Sequence, residues 1–423
     1  MVSVAVGLVP RERFSMAGQV LERLLACTPE DFELVVVDAG TPARFRADMD
    51  RVLEGRPDVV RPSTDEILLP NEARNVVTAN TAADWICFLE NDVLVEPGWL
   101  SRLLAACEEE KVGVAAPLIV ERFGPFEQVH FDDRLHTIAA VGTQEGGGLR
   151  IEPRPDSKES DRRAARRRVD FIETHCMLFS RQVLERTGLF DPSISAQEEM
   201  DVSLALHAHS LAAVLEPAAV VSFHPPPPIH AEEREFYLRK WDPESYAQDY
   251  QRVAERWQLI DPPSAMGVVE TRRSYVSEPD PQRQVAAELA YRQRLAATAT
   301  DLAAVARSEG QLILVHDEQL NLNVVAPGLE VLPFLEQGGL SWGPPPDDAT
   351  AIAELERMRA EGATVIAFAW PSFWWLDHYG HFTEYLRASY RTVLTNDRLV
   401  AFDLTDSISA ARNETTTPRT RRP

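Results

Sequence analysis

The stretch from Asp84 to Leu100, DWICFLENDVLVEPGWL, decides the fold. Its apolar run WICFL predicts a buried strand, and this strand breaks abruptly into the acidic triplet END at 90–92. Pro97 and Gly98 then predict a turn before a helix. Carboxylates at the end of a buried strand are costly unless something neutralises them. Two interpretations stay open here: a solvated strand end, or a site for a divalent cation that accompanies a diphosphate.

The bulk composition is that of a globular protein with two or three domains. The chain has 423 residues and a net charge of −23, which argues against non-specific binding to nucleic acid. The N-terminal stretch MVSVAVGLVP is interpreted as a strand rather than a signal peptide. No run approaches the roughly 20 apolar residues that span a bilayer. The four cysteines have no metal-binding spacing, so we expect a protein of the reducing cytoplasm.

Strands and helices alternate on the N-terminal side of the opening stretch. Strands are expected at 3–9 and 32–37, with a helix at 14–26 between them. This order is typical of a βαβ unit, whose strands pair in parallel. Because ligands bind beyond the carboxyl ends of such strands, Asp38 is a candidate for nucleoside binding, with a turn-capping role as the alternative.

A helix expected at 71–83 places Arg74 in its first turn, just before the acidic strand end. Arg74 is interpreted either as an exposed cation or as the partner of a phosphate or carboxylate. Further along, residues 169–180 predict one continuous strand. A strand at 212–223 ends at His224, which is either structural or a ligand by the same positional rule as Asp38.

Three carboxylates open the helix expected at 202–211 and the turn before it: Glu198, Glu199 and Asp201. Acidic residues in a first helical turn are favourable with the helix dipole. Three of them within four residues exceed what capping needs, so this segment is a candidate for chemistry.

The domain organisation follows from composition. Residues 122–158 predict a long irregular insert, which is usually functional or mobile. The basic run that follows at 161–168 is interpreted as a solvated loop, with contact to an anionic acceptor or a membrane surface as the alternative. Four segments are expected: a first domain at 1–275, a helical linker at 276–308, a small α/β domain at 309–408 and a disordered tail at 409–423.

The first domain resembles the family 2 glycosyltransferases, which have a GT-A fold. VVVDAG resembles the family's nucleotide-site segment, and NEARN followed by FLENDVLVEPGWL resembles "ARN … FLDxDxxxxPGWL". GLFDPSISAQEEMDVSLAL resembles the family's catalytic-base segment, and SFHPP its strand-end histidine. The matches cover residues 1 to about 230 in the family's order. The resemblance implies an α/β fold with a Rossmann-like, mostly parallel sheet flanked by helices, plus the smaller C-terminal α/β domain.

The resemblance also implies an activity: metal-dependent, inverting transfer of a sugar from a nucleotide-diphosphate sugar to a hydroxyl acceptor, in bacterial glycan or polysaccharide biosynthesis. The acceptor class is a glycan, a lipid-linked molecule or a small molecule. The implied site consists of Glu90, Asp92 and His224 for Mg²⁺ or Mn²⁺, Glu199 as catalytic base, Glu198 and Asp201 on the acceptor side, and Pro10, Asp38, Arg74 and Asn91 for the donor nucleotide.

This chain departs from the family pattern at three positions. Glu replaces Asp at both Glu90 and Glu199, which lengthens each arm by one methylene, and Ala205 stands where an Arg is frequent. Two other function classes stay open: a non-catalytic scaffold that binds a glycan or a partner, and a sugar nucleotidyltransferase. A peripheral membrane contact and a homo-oligomer also stay open. The segment GPPPDDATAIAELERMRAEGATVIAFAWPSFWWLDHY resembles a module of bacterial polysaccharide and sugar-transfer proteins.

Overall fold

The chain is described by a computed structural model. It divides into two compact units, Met1–Glu288 and Leu289–Pro423. The domain boundaries expected from the sequence stay a prediction; the expected tail at 409–423 and residues 161–164 of the basic run lie outside the described residues. The structure describes residues 3–130, 137–143, 146–152, 165–188, 190–260, 266–307, 310–316, 320, 326, 329, 331–337, 340–341 and 343–407.

The strands of the first unit are mostly short and apolar, and the two longest pair with each other in its main sheet. They are β1 (Val4–Val9), β2 (Glu33–Val36), β3 (Asp38–Ala39), β4 (Ser63–Thr64), β5 (Trp85–Glu90), β6 (Val93–Val95), β7 (Val114–Phe123), β8 (Phe126–Val129), β9 (Thr137–Thr143), β10 (Gly146–Glu152), β11 (Arg167–Val169), β12 (Cys176–Ser180) and β13 (Ala213–Phe223).

The main sheet has the order β2-β1-β5-β12-β7-β13-β11, with β6 paired to β13 and β8 to β7. Strand β1 is parallel to β2 and to β5, and β13 is parallel to β7. Strand β12 is antiparallel to both of its neighbours, and the edge strand β11 is antiparallel to β13. All strands of this row except β12 and β11 therefore point the same way, which confirms the predicted α/β class with a mostly parallel sheet.

Helices flank this sheet on both faces. Alternate side chains of β5 enter two different cores. Cys87 and Leu89 pack with the helices Ala17–Cys27 and Trp99–Glu110, whereas Ile86 and Phe88 pack with the helices Pro70–Ala79 and Glu198–Ala208. A strand covered on both faces explains the unbroken apolar run that the sequence shows there. The helices of the first unit are α1 (Ala17–Cys27), α2 (Ala43–Leu53), α3 (Pro70–Ala79), α4 (Trp99–Glu110), α5 (Arg181–Thr187), α6 (Glu198–Ala208), α7 (Arg234–Lys240), α8 (Pro243–Trp257), α9 (Met266–Ser274) and α10 (Pro281–Val305), which continues into the second unit.

The single strand expected at 169–180 is wrong, because the structure divides it into two. Strand β11 lies at the outer edge of the sheet, whereas β12 lies in the middle beside β5. The apolar residues of the run are shared between these two places, with an irregular segment at 170–175 between them. Since β12 runs antiparallel to β5, this segment arrives at the carboxyl end of β5, and the Glu90 N–H donates to the His175 carbonyl at 3.0 Å.

The second unit is smaller and also mixes strands with helices, as predicted. Its main sheet has the order β15-β14-β18-β20-β19; β14 is parallel to β15 and β18, and β20 is antiparallel to β18 and β19. No helix in the described part of the chain is long and apolar enough to cross a membrane. The elements of this unit are β14 (Gln311–Val315), β15 (Val331–Leu332), β16 (Glu336–Gln337), β17 (Leu340–Ser341), α11 (Asp348–Ala360), β18 (Ala363–Ala369), α12 (Trp374–His378), α13 (Gly380–Ser389), β19 (Tyr390–Thr395) and β20 (Leu399–Ser407).

Candidate active site

Glu90, the last residue of β5, lies at the centre of a buried cluster of charges at the carboxyl edge of the sheet. Its carboxylate is fully buried. The Arg11 Nη1 donates to both oxygens at 2.8 and 2.7 Å, and the Arg74 Nη2 donates to Oε1 at 2.6 Å. The His175 Nδ1 bonds to Oε2. The charge of Glu90 is therefore offset by two guanidinium groups, and both of its oxygens already have partners.

Arg74 reaches Glu90 because helix α3 packs closely on β1. A Cβ on Gly7 would lie 2.3 Å from the Val77 Cγ1, so glycine is what permits the close approach. Val77 and Arg74 are three residues apart and lie on the same helix face. The Arg74 side chain is fully buried and also donates to the Asn71 Oδ1 at 2.9 Å. Of the partners considered for Arg74, the structure shows the carboxylate.

Asp92, two residues beyond Glu90, has the opposite environment. It is fully buried, and neither carboxylate oxygen has a hydrogen-bond partner within the described residues. Burial, followed by repulsion from Glu90, raises the pKa of Asp92 to about 8. A buried carboxylate without a partner is costly unless a bound group completes it. Its hard oxygen ligands fit Mg²⁺ or Mn²⁺, so the residues present fit the predicted cation.

Two histidines lie near Asp92. One ligand atom each from Glu90, Asp92 and His175 lie within 4.8 Å of one another. Among the described residues, His224 does not belong to a group of three potential ligands whose donor atoms lie within 4.8 Å of one another. Its backbone N–H donates to the Asp92 carbonyl at 3.0 Å, and its Nε2 lies 3.2 Å from the Ser222 Oγ. Burial lowers the pKa of His224 to about 4, so the imidazole is neutral near pH 7. A role for His224 as a ligand stays a prediction.

The three carboxylates of α6 differ in their surroundings. Glu198 is buried and pairs with the equally buried Lys240, whose Nζ lies 3.0 Å from Oε1. Asp201 is buried and accepts a hydrogen bond from the Trp257 Nε1 at 2.7 Å. These two carboxylates therefore hold α6 in place through their partners.

Glu199, in the first turn of the same helix, is partly buried. Burial, followed by repulsion from Glu198, raises the pKa of Glu199. Arg11 lowers the pKa of both Glu199 and Asp92 through its charge. The predicted base and the predicted metal ligand therefore both lie within the electrostatic reach of Arg11.

Asp38 lies at the neighbouring strand end and is 3% exposed. Its carboxylate pairs with Arg46 at 3.0 Å and with Arg61 at 2.9 Å. A nucleoside that bonds to Asp38 has to share the carboxylate with these two arginines. Beside Gly40 lies a cavity of about 340 Å³, whose lining combines two aromatic rings with several carboxylates and one guanidinium: Phe14, Phe236, Asp65, Glu66, Glu72, Glu232, Glu235 and Arg239.

The remaining donor-site predictions, Pro10 and Asn91, flank Arg11. Pro10 is buried at the end of β1. The Asn91 Oδ1 accepts a hydrogen bond from the Arg11 backbone N–H at 3.0 Å. These contacts fix the backbone of Arg11 where its side chain reaches Glu90.

Sequence reasoning missed Arg11, His175 and Lys240 as members of this cluster. A usable signal existed for Arg11, because it directly follows a strand end, as Asp38 does. His175 had none, since its place depends on the insertion of β12 beside β5 in the antiparallel direction. Lys240 comes from α7, whose position on α6 no local pattern specifies.

Comparisons with known proteins agree with the resemblance given above. The pre-mycofactocin glycosyltransferase of Mycobacterium tuberculosis (strain CDC 1551 / Oshkosh) is 26% identical over 153 residues, which are 36% of this chain and 29% of that protein. The chain thus spans less than a third of the length of this curated relative. Two solved structures are similar at low identity. GalNAc-T7 with UDP, GalNAc and Mn²⁺ is 14% identical with a TM-score of 0.42, covering 69% of this chain and 57% of that one. Staphylococcus aureus TarS 1-349 in complex with UDP-GlcNAc is 11% identical with a TM-score of 0.44, covering 64% and 70%.

The family model that matches is "Glycosyl transferase family 2", over residues 11–188. This segment contains α1 to α5, with Arg11, Asp38, Arg74, Glu90 and Asp92. Residues 11–188 of this chain therefore match glycosyl transferase family 2.

Proposed function

We propose that the first unit is a metal-dependent, inverting glycosyltransferase. It moves a sugar from a nucleotide-diphosphate sugar to the hydroxyl of a glycan, lipid-linked or small-molecule acceptor, in bacterial glycan or polysaccharide biosynthesis. One observation carries the proposal. Asp92, at the carboxyl edge of the sheet, is fully buried, and both of its oxygens lack hydrogen-bond partners within the described residues. A bound cation completes a buried carboxylate that has no other partner.

Asp92 holds the cation, Mn²⁺ or Mg²⁺, and His224 adjoins it through the backbone bond to the Asp92 carbonyl. Glu90 offers a second carboxylate, but it has to give up a bond to Arg11, Arg74 or His175 in order to ligate. When bound, the cation neutralises the charge that develops on the leaving diphosphate.

The arginine at the end of β1 supports the same charge. Arg11 is paired with Glu90, and its guanidinium also interacts with Asp92 and Glu198. A diphosphate bound at this edge is stabilised by a positive charge that is already in place, so the site does not have to reorganise. Pro10 and Asn91 hold the backbone of Arg11, and Asp38 with the cavity beside Gly40 receives the nucleoside.

Glu199 acts as the general base and takes the proton of the acceptor hydroxyl. Its pKa is raised by burial and by Glu198, which brings a carboxylate closer to the pKa that suits a base at neutral pH. Glu198 and Asp201 hold the first turn of α6 through Lys240 and Trp257, so the base has a fixed direction. One base opposite the departing diphosphate implies direct displacement with inversion.

The decisive experiment is the substitution Glu199→Gln. The protein is incubated with a panel of nucleotide-diphosphate sugars, Mn²⁺ and acceptor extracts, and released nucleoside diphosphate is measured. We expect Glu199→Gln to reduce transfer by about 10²–10⁴-fold, the usual contribution of a general base. Donor binding, measured by thermal shift, stays unchanged. Glu185→Gln, at an exposed position of α5, is the control and transfers normally. Normal turnover by Glu199→Gln refutes the role of the base.

A second candidate is a non-catalytic scaffold that binds a glycan or a partner on the same fold. One observation favours it: the carboxylates of Glu90 and Asp38 are already paired with arginines, as in a site that no longer needs to exchange ligands. Metal-dependent hydrolysis of a nucleotide sugar by the purified protein discriminates between the two. Hydrolysis that EDTA abolishes excludes the scaffold.

A further inference from the structure

Beside the charged cluster, three side chains combine two imidazoles with a carboxylate. They are His130, Glu173 and His175, and one ligand atom from each lies within 4.8 Å of the other two. Glu173 and His175 are buried, and His130 is partly exposed. Two histidines and one carboxylate are a donor set that divalent transition metals prefer over Mg²⁺.

Both imidazoles are oriented by carboxylates that bond to their Nδ1 atoms. The His175 Nδ1 bonds to the Glu90 Oε2, and the His130 Nδ1 bonds to the Glu121 Oε2 at 2.9 Å. Since an ionised carboxylate only accepts hydrogen bonds, each Nδ1 carries the proton and each Nε2 keeps its lone pair. A carboxylate on the far nitrogen of a ligating histidine is the outer-sphere arrangement of protein metal sites.

The two carboxylate oxygens of Glu173 also have different neighbours. Its Oε2 accepts the His175 backbone N–H at 2.6 Å, which fixes the side chain. Its Oε1 lies 3.7 Å from the His175 Nε2. Two ligands at about 2.1 Å from a tetrahedral Zn²⁺ are separated by about 3.4 Å, so the two atoms need to move by only a few tenths of an ångström.

The two imidazole rings also pack against the same phenyl ring. Phe223, the last residue of β13, stacks on His175 with ring centroids 3.9 Å apart and an interplanar angle of 24°. The same phenyl ring lies 4.6 Å from the His130 ring. An apolar wall beneath both imidazoles limits their rotation and excludes water from one side of the group.

We propose that His130, Glu173 and His175 form a site for a transition-metal ion, Zn²⁺ in the first place, separate from the cation at Asp92. The ligands are the Nε2 atoms of both histidines and the Oε1 of Glu173. Glu90 and Glu121 are the outer carboxylates. Three protein ligands leave a position for a water molecule or a substrate oxygen. The hydrogen bond between His175 and Glu90 connects this site to the strand end, where Asp92 lies two residues further along the chain.

The group Glu90–Asp92–His175 does not serve this ion equally well. The Nδ1 of His175 is the nitrogen that faces Glu90, and it is occupied by that bond. Binding through Nδ1 breaks the pair, whereas binding through Nε2 keeps it and adds two further ligands. The two sites therefore differ in ligand type: oxygen at Asp92, and nitrogen with one oxygen here.

Cobalt(II) serves as the probe, since its visible absorption reports nitrogen ligation and a low coordination number. The full-length protein is stripped with EDTA and titrated with Co²⁺ in the presence of excess Mg²⁺, and Zn²⁺ is then used to displace it. We expect one Co²⁺ per chain, displaced by Zn²⁺ and not by Mg²⁺. Loss of an outer carboxylate typically weakens metal affinity by about 10–100-fold, which is the expected effect of Glu121→Gln. His130→Asn and Glu173→Gln, which remove ligands, weaken it at least as much.

Two matched controls locate the ion. His224→Asn and Asp92→Asn, which change the other metal candidates at this edge, leave the Co²⁺ affinity unchanged. Circular dichroism and the melting temperature of each metal-free variant confirm that it is folded. The proposal is overturned if the wild type binds no Co²⁺, or if Asp92→Asn abolishes binding while His130→Asn and Glu173→Gln keep it. Either result leaves sugar transfer and its dependence on Glu199 untouched.

Discussion

Each unit of the chain contains a fully buried aspartate, and the two have opposite surroundings. Asp403, in β20 of the second unit, accepts hydrogen bonds from the Thr405 N–H at 3.0 Å and the Thr405 Oγ at 2.6 Å, and it pairs with Arg307 and Arg391. Asp92 in the first unit has no hydrogen-bond partner for either oxygen within the described residues. Burial alone raises the pKa of both. At Asp403 the bonds from Thr405 and the arginines outweigh burial and lower the pKa to about 2, whereas at Asp92 it rises to about 8.

The difference separates structural burial from functional burial. A buried carboxylate that is completely paired holds the fold together, and nothing further needs to bind to it. A buried carboxylate without partners lowers the stability of the unbound protein. Such a group is expected where a bound ligand compensates for this loss of stability. Neither side chain is accessible to solvent, and the set of partners separates the two positions.

Replacement of the paired carboxylate has the largest expected effect. Asp403→Asn removes the charge that accepts the bonds from Thr405, and hydrogen bonds to a charged group contribute about 1.5–3 kcal/mol each. Arg307 and Arg391 are 41% and 63% exposed, so the loss of their counter-charge adds little. Differential scanning calorimetry of the full chain measures the loss of stability as a lower melting temperature of the second unit. Sugar transfer per folded molecule is expected to stay at the wild-type level. A melting temperature equal to that of the wild type means that the pairing of Asp403 does not stabilise this unit.

Replacement of the unpaired carboxylate has a smaller effect of the opposite sign. In EDTA at about pH 8.5, Asp92→Asn removes a buried charge without partners, which stabilises the metal-free protein by about 1–3 kcal/mol. Because the pKa of Asp92 is raised in the folded state, the wild type loses stability as pH rises from about 4 through about 8. The advantage of Asp92→Asn is therefore smaller at about pH 5.5 than at about pH 8.5.

Manganese supplies the control for that comparison. The cation stabilises the wild type by mass action and leaves Asp92→Asn unchanged. Chemical denaturation curves with and without Mn²⁺ measure both quantities in parallel samples. A variant that is less stable than the wild type in EDTA at every pH contradicts the view that Asp92 is an uncompensated charge.

The sequence predicted the elements around Asp92 well, because the features that define them are local. The apolar run of β5, its abrupt acidic end and the turn at Pro97 all lie within seventeen consecutive residues, Asp84 to Leu100. The alternation of strands and helices was sufficient to predict the parallel pairing of β1 with β2, which the structure shows. The strand ends then identified Asp38, Glu90 and Asp92 as candidates.

What the sequence did not reveal depends on contacts between distant segments. The antiparallel insertion of β12 brings His175 to Glu90, eighty-five positions earlier in the chain. No periodicity within 169–180 distinguishes two strands in different places from one continuous strand. The sequence could not show that Glu90 is paired, for the same reason. Its partners Arg11, Arg74 and His175 come from three separate segments, and both of its carboxylate oxygens have hydrogen-bond partners.

The smallest effect, and the sharpest test of the comparison, is the pH dependence of manganese binding. Asp92 has to lose its proton before it ligates, and its pKa in the metal-free protein is raised to about 8. Affinity is therefore expected to rise by about tenfold per pH unit from about pH 6 to 8 and to level off above, because one proton is exchanged for the cation. Isothermal titration calorimetry in buffers of different ionisation enthalpy counts that proton directly. Asp403→Asn is the matched control and keeps the slope, since its carboxyl lies in the other unit. An affinity that does not change with pH, with no proton released, shows that Asp92 is already ionised before the metal arrives and that the contrast with Asp403 does not hold.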